Sequence, residues 1–68
     1  MSTAQLLEAT EYNLKNINRT LSADEQAMVD HIRSYVQQSR DATKAGDADL
    51  ANRLALKAHL LSDELAKK

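Results

Sequence analysis

Apolar residues recur along this chain at helical spacing. Leu7, Thr10, Leu14, Ile17 and Leu21 follow one another at intervals of 3, 4, 3 and 4, and Leu6 widens the stripe. That spacing lines one face of a helix, here predicted over about 3–19. Ser2 with Gln5 three residues later has the form of a capping box that would start it. Tyr12 falls nearly opposite the stripe.

The pattern breaks at Thr20 to Ser22. Ser22 and Glu25 form a second capping box, and Asp24 and Glu25 would sit at the positive end of the next helix dipole. A second helix is predicted over about 23–45. Met28, Val29, Ile32, Tyr35, Val36, Ser39, Ala42 and Thr43 share one face; Asp30, Arg33, Gln37, Arg40, Asp41 and Lys44 share the other. Gly46 then Asp47 is the order expected of a left-handed helix stop and a new N-cap. A third helix follows over about 48–66, with Leu50, Ala51, Leu54, Ala55, Ala58, Leu61 and Leu65 on its main face. Lys67 and Lys68 suit the negative end of its dipole.

The expected architecture is an all-α three-helix bundle occupying the whole chain, 1–68, as one domain. The tight turn at Gly46 makes the second and third helices antiparallel neighbours. Ala42, Ala51, Ala55 and Ala58 are small, so the two backbones can approach closely. Met28, Ile32 and Tyr35 would meet Leu61 and Leu65 at the open end. The first helix should then cover the groove between the other two.

Composition strengthens the helical reading. The chain has eleven Ala and ten Leu, but only two Val, two Ile and no Pro. Its 68 residues leave room for one small core and no second domain. With no Cys, disulfides, thiolate metal sites and cysteine nucleophiles are all excluded. A net charge of −1 does not fit a dedicated nucleic-acid binder. No stretch is long and apolar enough to span a bilayer. The N-terminus lacks the pattern of a secretory signal, so a complete chain of this sequence is expected in the cytoplasm.

The stretch from Ser34 to Ser62 resembles a single tetratricopeptide-type helical hairpin. Gly46 and Asp47 match that pattern's turn, Tyr35 its early aromatic, Ser39 its central small residue, and Ala51 and Ala58 the small residues of its second helix. Gln38 stands where the pattern has Leu, Ala42 and Ala55 replace bulky aromatics, and no second copy follows. From Leu21 to Leu65 the chain also resembles helical segments of uncharacterised bacterial proteins. It shares their helix start (Ser22 to Met28), their Ala-Gly-Asp turn (Ala45 to Asp47) and an Ala/Leu-rich helix after it. Both resemblances imply an architecture and neither implies an activity.

Candidate chemistry is sparse. His31 and His59 lie on opposite arms of the hairpin at similar height, and Asp30, Asp63 or Glu64 could join them in a weak metal site. Zinc needs three or four ligands in a fixed shell, and no motif supplies that spacing. The pairs Asp24/Glu25 and Asp47/Asp49 belong to helix starts, and Asp63/Glu64 reads as a solvated face. Arg33, Arg40, Lys44, Arg53 and Lys57 are interleaved with acids, so they read as mixed surface charge. No nucleophile elbow or phosphate loop is present. The reading is therefore of a non-enzyme, with no cofactor, no metal and no small-molecule substrate.

Leu56 and Leu60 stand one turn apart, roughly opposite the main face of the third helix. Tyr12 is the equivalent apolar residue on the first. These three are the candidate partner face. The function expected is a protein–protein interaction or self-association module acting by helix packing, with another protein or a second copy (a homodimer) as partner. Nucleic acid and membrane are disfavoured. The alternatives are an accessory helical segment of a larger envelope-associated bacterial protein, or a weak metal or nucleic-acid binder.

Overall fold

Each helix begins where a side chain can accept from its otherwise free first amides. Ser2 Oγ accepts from the Gln5 N–H at 3.1 Å while Gln5 Oε1 accepts from the Ser2 N–H at 2.9 Å. The same reciprocal pair joins Ser22 and Glu25 at 3.2 and 3.0 Å. Asp47 Oδ1 accepts from the Leu50 N–H at 3.1 Å. These caps start α1 (Thr3–Lys15), α2 (Ala23–Lys44) and α3 (Ala48–Lys67). The computed structural model describes residues 1–67, over which the chain is an all-α three-helix bundle; Lys68, expected at the dipole's negative end, lies outside the described residues.

The hairpin turn forms as its sequence requires. Gly46 has φ +81°, the left-handed region that glycine enters without strain. Its N–H donates to the Thr43 carbonyl at 3.1 Å, and the Asp47 N–H donates back to Ala42 at 2.9 Å. These two bonds are the Schellman closure of α2.

The first helix stops earlier than its apolar stripe suggests, at Lys15 rather than Arg19. Asn16 ends it by donating from both its backbone N–H (3.1 Å) and its Nδ2 (2.7 Å) to the Tyr12 carbonyl. Asn competes for backbone groups in this way and favours helix ends. Beyond it, Arg19 is held elsewhere, paired with Glu25 at 2.8 Å and donating to the Leu65 carbonyl at 3.2 Å. Ile17 continues the stripe only in space: it leaves the helix yet still packs on the core.

The three helices do not meet equally. α2 and α3 are the antiparallel pair. α1 runs parallel to α3, with Thr3 bonded to Asn52 and Asn13 bonded to Ser62 and Asp63. It packs on α3 and barely touches α2. The expectation that α1 covers the α2–α3 groove is thus corrected. Its fully buried residues are Leu6 and Thr10, which seat it on α3, while Leu7 and Leu14 lie half-buried on the flank. Thr10 can be buried because its hydroxyl donates to the Leu6 carbonyl at 2.7 Å.

The core divides by residue size. Towards the Ser22 end, Ile32, Val36, Ala58 and Leu65 form a cluster packed by Leu14, Ile17, Met28 and Leu61. Towards Gly46 the seam narrows to Ser39, Ala42, Ala51 and Ala55, all buried. Leu50, expected on the main face of α3, stays 40% exposed in the first turn of α3, while its neighbour Ala51 takes the buried position against α2.

Candidate association surfaces

The fold orients α3 so that two of its sides are covered. Asn52, Ser62 and Asp63 face α1 through hydrogen bonds. Ala51 accepts from Ser39 of α2, and Lys57 Nζ stands 5.7 Å from the ring centre of Tyr35. Leu56 and Leu60 fall on the remaining side, 43% and 54% exposed. They form a short apolar ridge flanked along the helix by Arg53, Lys57 and Glu64. Tyr12 is 68% exposed. It does not join that ridge but lies on the outer side of α1, at the rim of a depression shared with α2.

That depression is the second surface. Because α1 leans on α3, the side of α1 turned towards α2 is left open over the Gly46 half of the bundle. Two adjoining hollows of about 680 and 490 Å³ occupy it, and both are lined by Ala4, Leu7 and Arg40. Sequence reading placed Leu7 in the core stripe and Arg40 in a mixed surface, and so missed this trough. A two-helix gap depends on how α1 tilts, which no single-helix pattern encodes.

The two histidines sit in different surroundings. His31 is exposed on α2, beside Ser34, Tyr35 and Gln38. His59 lies on the α1 side of α3, with its Nε2 3.5 Å from Asp63 Oδ2 and its Nδ1 buried without a partner. The hairpin arms do not bring the two imidazoles into one shell. Among the described residues no group of three or more His, Cys, Asp or Glu side chains is placed to hold a metal ion. Asp63 is not on a solvated face: it is half-buried and accepts from Asn13 Nδ2 at 2.7 Å.

The strongest electrostatic contact ties the α1–α2 loop to the start of α2. The Arg19 hydrogen bond, and then the Ser22 backbone N–H, hold the Glu25 carboxyl down at about 2, against a usual 4.5. The same bond to Glu25 pushes the Arg19 guanidinium up. Beside this pair a small hollow of about 110 Å³ opens between Met28, Leu61 and Leu65. Among the described residues, no helix is long and apolar enough to cross a membrane.

No family model, curated protein or solved structure matches this chain.

Proposed function

We propose that the protein is a non-enzymatic association module that acts by helix packing, with a second copy or another helical protein as its partner. The observation that carries this reading is the Leu56–Leu60 ridge. Two large apolar side chains stand together on α3 on the side that neither α1 nor α2 covers. Exposed leucines scattered singly are ordinary, but a pair one turn apart makes a contact ridge of the kind a partner helix packs against. Tyr12 adds a second exposed anchor on α1, and tyrosine is favoured where one side of a residue meets a partner and the other meets water.

The test is sedimentation equilibrium over a wide concentration range, on the wild type and on Leu56→Asp/Leu60→Asp. A wild-type dimer that the double substitution converts to a folded monomer supports the ridge as the contact. A wild type that stays monomeric at every concentration contradicts self-association.

A further inference from the structure

We infer that the trough between α1 and α2 is a self-association surface, in which two copies pair through opposite charges carried on its two walls. This rests on the association reading above and names its partner as a second copy and its surface as the trough.

The walls differ in net sign. Glu8 and Glu11, with Lys15 beyond them, line the α1 side, and Arg40 and Lys44 line the α2 side. The floor between them is Ala4 and Leu7, with Tyr12 at the rim. Among the described residues the ion pairs are Arg19–Glu25 and His59–Asp63, so no charge on one wall is paired with a charge on the other.

The arrangement is self-complementary. Ala4 and Leu7 share one hollow with Arg40 and Thr43, so these parts of α1 and α2 stand at the same height. A twofold axis running along the trough preserves height and brings α1 of one copy against α2 of the other. Glu8 and Glu11 of each copy then face the Arg40 region of the other, with Lys44 extending the basic edge towards Gly46, and the contact occurs twice, as an isologous interface demands. α1 and α2 are antiparallel within one copy, so the helices also meet antiparallel across the axis. The result is a four-helix layer of the common bundle type, closing over Leu7 and the stems of Arg40 and Lys44. A standard interface takes about 800 Å² from each partner, about one sixth of this chain's 4589 Å² of accessible surface. Two helix faces can supply that area. A foreign amphipathic helix would need a matching acidic and basic edge, whereas a second copy carries both along the same trough.

Charge reversal tests this directly. Arg40→Glu/Lys44→Glu makes both walls acidic, and Glu8→Lys/Glu11→Lys makes both basic. Sedimentation equilibrium at low salt would be run on the wild type, each double variant, their equimolar mixture and the chain carrying all four substitutions, with circular dichroism confirming the fold. The expected result is a wild-type dimer, weakened about tenfold or more in each double variant by like charges across the axis. Mixing should restore a heterodimer, and the four-fold variant should regain the homodimer. Dimers that survive both reversals overturn the inference, as does a mixture that stays monomeric. If Leu56→Asp/Leu60→Asp dissociates the dimer while the reversals do not, the trough is refuted and the ridge reading stands. A wild type that is monomeric at every concentration refutes self-association through either surface.

Discussion

Ser39 on α2 donates its hydroxyl hydrogen to the carbonyl of Ala51 on α3 across 2.7 Å, and solvent reaches neither residue appreciably. The bond spans the tightest part of the helix pair, where Ala42, Ala51 and Ala55 allow the backbones to approach. A hydroxyl buried there must find a partner, and the close approach supplies one. Ser39→Ala should cost about 1 kcal/mol, the net value of one buried hydrogen bond. Ser39→Leu should cost more, about 1–3 kcal/mol, because extra volume forces the helices apart. Urea unfolding of the two variants gives the order, and a leucine variant as stable as the wild type would contradict a close-packed seam.

The first helix should open on its own. It is bound mainly to α3, through Leu6, Thr10 and the hydrogen bonds of Thr3 and Asn13, with Leu7 and Leu14 adding only half-buried contacts to the core. Elements with few partners exchange by local opening rather than by global unfolding. Asn13→Ala removes donors to both Ser62 and Asp63 and should destabilise the α1–α3 contact by about 1–3 kcal/mol, since a charged acceptor is involved. Amide hydrogen exchange should then show lost protection in α1 while the α2–α3 hairpin keeps its own. Equal loss along all three helices would show that α1 is integral to the cooperative core.

Acid should loosen the α1–α2 loop. Glu25 is held down at about 2 by Arg19 first and by the Ser22 N–H next. A folded-state value below the unfolded one stabilises the fold above the unfolded range. That contribution is complete above the usual 4.5 and is lost as pH falls towards 2. Arg19→Met should raise the titration midpoint of Glu25, followed by NMR of its side-chain carboxyl, and flatten the acid limb of stability. An unchanged midpoint would mean that the ion pair does not persist in solution.

Gly46 should tolerate side chains sterically but not conformationally. A Cβ there would meet nothing within 4 Å, yet φ is +81°. Gly46→Ala should therefore cost about 1 kcal/mol from backbone strain alone, and Gly46→Asn less, because Asn enters the left-handed region more readily. Thermal unfolding of both variants checks the order.

The parts legible in the sequence are those governed by neighbours in the chain. Both capping boxes, the Gly46 stop, the Asp47 start and the small seam of Ala42, Ala51 and Ala55 all follow from local spacing. The exposure of Tyr12, Leu56 and Leu60 followed from their positions opposite an apolar stripe. What could not be read depended on a second helix. Within the predicted stripe, Leu6 and Thr10 are the most buried residues of α1 and Leu7 and Leu14 pack on the core only half-buried, because α1 turns to meet α3. Ser62, an unremarked polar residue, is fully buried because it accepts from Asn13 and donates to the His59 carbonyl. The end of α1 moved because Asn16 caps Tyr12 and Arg19 reaches Glu25. The trough follows from the same rotation, so Arg40 and Lys44 read as mixed surface charge along the chain and nothing singled out Glu8 and Glu11 opposite them.

The measurement that bears most directly on the association account is a dilution series followed by amide-detected NMR. Association through a helix face predicts concentration-dependent shifts confined to that face: around Leu56 and Leu60 for the ridge, or around Leu7 and Arg40 for the trough, with the buried seam at Ser39 and Ala51 unchanged. Spectra that superimpose from the most dilute to the most concentrated sample would contradict self-association.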